Sequence, residues 1–218
     1  LMGANIVRDE NGDIIIKGVK ELRDEIEFNV IPDRIEAGTF LIAGAITGGN
    51  ISVLNVEPKH MAIVLKYLKD SGFKLLIDKN KVEIKKQDNY IKSINMKTDI
   101  YPGFPTDLQA QWMALMTIAK GETTIVDQIY TDRYTHIAEL SRFGANIQLL
   151  DNKVQIHGVE LLKGAPVMST DIRASASLIL AALSAVGESS ISRIYHIDRG
   201  YDKIESKFSH LKANIKRI

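Results

Sequence analysis

Three aspartates in this sequence open long stretches that carry almost no charge: Asp33 before Arg34-Ile35-Glu36, Asp107 after Phe104-Pro105-Thr106, and Asp171 before Ile172-Arg173. An aspartate at a helix start ordinarily caps unpaired backbone N–H groups. If the three stretches are helices running parallel, their N-termini also meet at one end, where aligned dipoles and free N–H groups favour anions. Four arginines fall beside those positions: Arg34, Arg173, and the pair Arg133 and Arg199 in the matching sequences Asp132-Arg133 and Asp198-Arg199. Any one of them serves as an ion-pair partner for a neighbouring aspartate. A planar guanidinium also forks onto carboxylate or phosphate oxygens, and four at one end of a fold make a local anion site.

The most specific segment is Tyr101-Pro102-Gly103-Phe104-Pro105-Thr106-Asp107-Leu108-Gln109-Ala110-Gln111. Two prolines and a glycine stiffen the approach to the helix, a placement that suits Asp107 to act as a general base. Among arginines a carboxylate favours its charged form, so it is a weak base unless the substrate hydroxyl is also activated. Other chemistry is poorly supported. His60, His136, His157, His196 and His210 are scattered without metal-ligand spacing, and Gly44, Gly48 and Gly49 form no dinucleotide fingerprint. Neither a metal nor a cofactor is expected.

The elements that position these residues come from an internal repeat. Gly3-Ala4-Asn5-Ile6 recurs as Gly144-Ala145-Asn146-Ile147, with weaker copies at Gly72-Phe73-Lys74-Leu75 and Lys212-Ala213-Asn214-Ile215. The copies stand about seventy residues apart, so three units fill the chain. After each copy come two alternating stretches around a turn, read as β-hairpins; Asn11-Gly12 and Asp151-Asn152 are the turn pairs. An apolar helix follows in each unit, over 35–46, 108–119 and 174–186, enclosed on every side and closed by Gly48-Gly49, Gly121 or Gly187 as left-handed caps. A strand (51–56, 123–130, 189–196) and an amphipathic helix (58–71, 134–143, 201–211) complete each unit. The fold class is therefore α/β: three β-β-β-α-β-α repeats forming an inside-out barrel, helices inside and sheets outside, with pseudo-threefold symmetry. Such repeats also arise for purely architectural reasons.

The chain has 218 residues, 45% of them hydrophobic, enough for a substantial core. With 28 Lys and Arg against 27 Asp and Glu, the net charge of +1 gives no reason to expect a nucleic-acid or membrane partner. The absence of cysteine excludes disulfides and thiolate chemistry within this sequence. Its apolar runs are too short to cross a bilayer, and a cytoplasmic protein is expected. The opening Leu1-Met2-Gly3-Ala4-Asn5 reads as the end of a helix entering a strand, as though cut from a longer chain.

Four motifs carry a family resemblance: Pro32-Asp33-Arg34-Ile35-Glu36-Ala37-Gly38-Thr39-Phe40, the segment from Tyr101 to Gln111, Asp171-Ile172-Arg173-Ala174-Ser175-Ala176, and Arg193-Ile194-Tyr195-His196-Ile197-Asp198-Arg199-Gly200-Tyr201. Over essentially its whole length the chain resembles the enolpyruvyl transferases, in particular those that act on UDP-N-acetylglucosamine in peptidoglycan synthesis. The sister enzymes that use shikimate 3-phosphate differ in the proline-rich segment. The resemblance implies two inside-out α/β domains with a cleft between them, residues 1–32 ending the preceding domain with its crossover strands and 33–218 forming the carboxy-terminal domain. It implies transfer of the enolpyruvyl group of phosphoenolpyruvate to the sugar's 3′-hydroxyl with release of phosphate. In this reading Asp107 contacts and deprotonates that hydroxyl, Ile129 touches the nucleotide sugar, and Arg199 closes onto phosphoenolpyruvate. Arg133, Arg173 and Asp171 line the cleft, with Asp33 and Arg34 as weaker candidates. An amino-terminal half, bearing a phosphoenolpyruvate-binding lysine and a mobile cysteine loop, is the implied partner; without it negligible turnover is expected. A strand at 213–218 is expected to pair with 13–17. A non-catalytic repeat domain, or a transferase for another acceptor, remains the alternative.

Overall fold

The computed structural model describes residues 2–24, 27–85 and 90–218, so Leu1 of the expected opening segment lies outside the described residues. The chain divides into two compact units, Leu1–Ile31 and Pro32–Ile218. In the first, β1 (Asn5–Arg8) and β2 (Ile14–Lys17) form the expected antiparallel hairpin, with Ile6 opposite Ile16. Its turn is held by the Asp9 carboxylate, which accepts from the Asn11 and Asp13 amides, both at 2.9 Å. Gly12 supplies the positive φ there, and Asn11 does not.

The second unit runs α1 (Arg34–Thr47), β3 (Ile51–Leu54), α2 (Ala62–Asp70), β4 (Lys74–Ile77), β5 (Lys81–Lys85), β6 (Met96–Lys97), α3 (Gln109–Met116), β7 (Glu122–Val126), α4 (His136–Arg142), β8 (Asn146–Leu150), β9 (Lys153–His157), β10 (Pro166–Met168), α5 (Ile172–Ser184), β11 (Ser190–Ser192) and α6 (Ile204–His210). Three 3-10 turns lie between them, at Pro58–Met61, Thr106–Leu108 and Ile194–Arg199. The second and third repeats each read β-β-β-α-β-α. The first has no third strand among the described residues.

The apolar helices α1, α3 and α5 pack on one another and are the most buried elements; every residue of α3 is buried. Close approach of α1 to the start of α3 depends on Gly38, where an added Cβ would stand 2.5 Å from Leu108 Cδ1. The strands pack by a repeated rule. The strand after one buried helix pairs antiparallel with the second strand of the next repeat's hairpin: Ile51 and Val53 of β3 lie opposite Ile84 and Val82 of β5. Thr123 and Ile125 of β7 lie opposite Ile156 and Val154 of β9, in the same register.

Several expectations change. The described strands form four separate sheets, β1-β2, β3-β5-β4, β6-β7-β9-β8 and β10-β11, and do not close on one another, because no hydrogen-bond ladder passes from one set to the next. The strand expected over 123–130 stops at Val126, since Asp127 folds back to take the amides of Ile129 and Tyr130 on its own side chain. That expected over 189–196 stops at Ser192, where Arg193 enters the left-handed region (φ 56°) and a 3-10 turn begins. Of the expected left-handed caps only Gly48 closes its helix directly; Gly121 and Gly187 have positive φ but lie beyond the helix ends. Residues 213–218 form no strand, so the strand expected there, the partner proposed for 13–17, is not formed, and β2 pairs with β1. The tail is instead tied back by Arg217, whose Nη2 reaches Asp198 Oδ1 at 2.6 Å, and by the Ala213 amide on Phe208 O.

Candidate active site

The N-terminal ends of all three buried helices converge. Asp33 and Ile35 from the start of α1, Asp107 from the turn before α3, and Ile172 and Arg173 from the start of α5 line one cleft of about 190 Å³, together with Gly200 and Tyr201. The three helix starts thus share one end, the arrangement expected of the aspartates if the helices run parallel.

The aspartates divide into two roles. Asp33 Oδ1 accepts from the amides of Ile35 (2.7 Å) and Glu36 (3.2 Å), and Asp171 Oδ1 from those of Arg173 (2.8 Å) and Ala174 (3.1 Å), so both cap their helices. Asp107 caps nothing. It sits inside a 3-10 turn, and its Oδ1 takes Arg173 Nε at 2.6 Å, with Nη2 also in contact, and Arg133 Nη1 at 3.4 Å. No described contact occupies Oδ2. The carboxylate therefore has one oxygen clamped between two arginines and one left for a ligand.

Local packing explains why Asp107 stands there. Phe104 of the proline-rich segment, Trp112 of α3 and Tyr67 of α2 pack edge to face, with centroids 5.1 to 5.7 Å apart. These rings pin the segment on both sides of the aspartate. Below the cleft Gln111 Nε2 donates to the Asp107 carbonyl (3.0 Å) and to Thr39 Oγ1 (3.2 Å), and Thr39 in turn meets the Tyr201 hydroxyl at 2.7 Å. The floor thereby ties α1, α3 and the loop after the last 3-10 turn into one network.

Of the remaining sequence candidates, Arg133 joins the cluster through Asp107 and sits over the Tyr130 ring, its Cζ 3.8 Å from the centroid. Arg34 turns toward Tyr101, 5.3 Å from that ring, and Ile129 is partly exposed on the loop after β7. Arg199 is exposed, and its side chain makes no hydrogen bond or ion pair among the described residues; it immediately precedes cleft-lining Gly200. The arginines thus fall into a clamped pair, Arg133 and Arg173, and two that stand apart.

Sequence reasoning missed Asp127, Thr106, Thr39, Gln111 and Tyr201. Asp127 is buried and accepts from the hydroxyls of Thr98 (2.7 Å) and Thr106 (2.6 Å) and the amides of Ile129 (3.0 Å) and Tyr130 (2.9 Å). Burial pushes its carboxyl up, but those four donors outweigh it and hold the pKa below the ordinary value. Asp171 behaves alike: burial raises its pKa, and the Ala174 and Arg173 amides together with nearby charge, including Arg173, bring it below the ordinary value. Burial also pushes the Tyr201 hydroxyl up. His136, fully enclosed within electrostatic reach of Asp171 and Asp127, is driven down by burial to about 4.

Among the described residues, no helix is long and apolar enough to cross a membrane. Residues 1–208 match the family model of EPSP synthase (3-phosphoshikimate 1-carboxyvinyltransferase). The chain is 50% identical over 217 residues to the UDP-N-acetylglucosamine 1-carboxyvinyltransferase of Geobacter metallireducens, covering 100% of this chain and 52% of that protein. It is 48% identical over 216 residues to UDP-N-acetylglucosamine 1-carboxyvinyltransferase 1 of Caldanaerobacter subterraneus, covering 99% of this chain and 52% of that one. The chain thus spans about half the length of the curated relatives it matches. Among solved structures, the enolpyruvyl transferase NikO from Streptomyces tendae superposes with a TM-score of 0.88 at 22% identity, over 99% of this chain and 51% of that one, which supports the fold alone. With a family model matched along nearly all of its length, the chain belongs to the EPSP synthase family of enolpyruvyl transferases.

Proposed function

We propose that this chain is the carboxy-terminal half of a cytoplasmic enzyme that transfers the enolpyruvyl group of phosphoenolpyruvate to the 3′-hydroxyl of UDP-N-acetylglucosamine. The observation that carries this reading is Asp107, clamped by Arg133 and Arg173 at the shared helix end with Oδ2 free. In the reaction the sugar hydroxyl gives its proton to Asp107 Oδ2 as its oxygen adds to C2 of phosphoenolpyruvate, while C3 takes a second proton, derived from solvent. The tetrahedral adduct then loses phosphate and the C3 proton, restoring the alkene in the product ether. Arg133 and Arg173 hold the base in place and offset the negative charge that gathers as the adduct forms and phosphate leaves. Exposed and unpaired, Arg199 is placed to fold onto phosphoenolpyruvate. Ile129 packs on the nucleotide sugar, and Asp33, Arg34 and Asp171 line the cleft beside it.

The second wall of the site comes, in this reading, from the amino-terminal half that the relatives' length implies. The two inside-out α/β domains of the family then enclose the substrates, residues 1–32 belonging to the first and 33–218 to the second. Phosphate release should be measured with phosphoenolpyruvate and either UDP-N-acetylglucosamine or shikimate 3-phosphate, using this chain joined to that half. Release with the sugar alone supports the proposal. Release with shikimate 3-phosphate alone assigns the other acceptor. No release with either acceptor would overturn the proposal in favour of a non-catalytic domain of the same fold.

A further inference from the structure

Asp127 takes no part in the chemistry above, yet it is a buried carboxylate with four hydrogen-bond donors beside it. Its side chain, in a residue only 1% exposed, accepts Thr98 Oγ1 and the Ile129 and Tyr130 amides on Oδ1, and Thr106 Oγ1 on Oδ2. We infer that Asp127 is a positioning residue that orients Arg133 against Asp107 by fixing the direction of the Thr106 hydroxyl and the seat of the Tyr130 ring.

The direction follows from donor and acceptor chemistry. An ionised carboxylate only accepts, so the Thr106 hydroxyl must spend its single proton on Asp127 and turn its lone pairs outward. Arg133 Nη1 donates into those lone pairs at 3.1 Å, and the same nitrogen reaches Asp107 Oδ1 at 3.4 Å. On the other side, Asp127 Oδ1 closes the loop through the Tyr130 amide, which seats the Tyr130 ring 3.8 Å from Arg133 Cζ. The guanidinium is thus held between a hydroxyl and a ring, and one buried carboxylate sets both. Ile129, a proposed sugar contact, hangs on the same oxygen. The functional part of this inference rests on the proposed reaction; the relay itself does not.

Replacing Asp127 by Asn keeps the shape and reverses one polarity. The Asn Nδ2 donates to Thr106 Oγ1, which sends the hydroxyl proton toward Arg133. T106V removes the hydroxyl, whereas T106S keeps it. In the chain as it stands, Arg133 guanidinium NMR signals should show hindered Cζ–Nη rotation, lost in D127N and T106V and recovered in T106S. In the protein joined to its second half, kcat should fall on the order of tenfold in D127N, the loss of one charge-assisted hydrogen bond that aims Arg133 at the base, with KM for UDP-N-acetylglucosamine rising less than about threefold because the Asn Oδ1 still takes the Ile129 amide. T106S should turn over faster than T106V. Unchanged Arg133 signals and unchanged kcat in D127N would overturn the inference. If the parent transfers to no acceptor, the proposed reaction fails and the NMR signals alone decide the relay. If D127N does not fold, the T106V and T106S pair decides it, since Thr106 is only half-buried.

Discussion

Acid should weaken this fold through His136, and the size of the effect is calculable. Its imidazole is fully enclosed and its pKa is lowered from 6.5 to about 4, burial overriding the pull of Asp171 and Asp127. Because the folded-state value lies below the unfolded one, the unfolded chain binds a proton that the folded chain refuses. Stability from this residue is therefore fully present above pH 6.5 and drains away as the pH falls toward 4. Linkage over that gap gives a loss of about 2 kcal/mol between pH 7 and pH 5, and a ceiling of about 3 kcal/mol near pH 4. Asp127 and Asp171 have depressed values, so their contributions survive to below 3.8 and leave the window from 5 to 7 clear. Urea unfolding of the parent and of H136Q at pH 7, 6 and 5 isolates the residue, because every other titrating group is common to both. The parent should lose about 2 kcal/mol more than H136Q across that range. Equal losses would show that His136 is not buried as a neutral ring and would undo the reasoning.

The remaining predictions concern packing and caps. G38A should destabilise by about 1–3 kcal/mol in urea midpoints despite the better helix propensity of alanine, since the new Cβ meets Leu108 in a fully buried contact. D171A should cost about 1 kcal/mol for the lost cap of α5, and D171N should cost less. D107N should change stability by less than about 1 kcal/mol, because Asp107 caps no helix and its side chain is 40% exposed in its ion pairs.

Much of the architecture was legible because it is written locally. Uncharged runs marked α1, α3 and α5, alternation around short turns marked the β1-β2 and β8-β9 hairpins, and recurrence of the same segments gave the repeat. The convergence of Asp33, Asp107 and Arg173 on one cleft also followed from three parallel helix starts. What stayed hidden depends on partners distant in sequence. Asp127 draws its hydroxyls from Thr98 and Thr106, which no spacing rule connects to it, and by doing so it cuts short the strand that alternation extended to 130. Asp107 looks like its two counterparts in sequence, but it falls within a 3-10 turn where its side chain cannot cap, and Arg133 and Arg173 claim it. Alternation likewise carried β11 to 196, whereas the left-handed backbone at Arg193 ends it.

The decisive measurement is phosphate release from phosphoenolpyruvate and UDP-N-acetylglucosamine by the parent and by D107N, each joined to the proposed amino-terminal half and matched for thermal stability. If the aspartate between Arg133 and Arg173 is the base, kcat falls by about 100-fold or more in D107N while the protein remains folded. A folded D107N variant that releases phosphate at the parent's rate would contradict the site proposed for this chain.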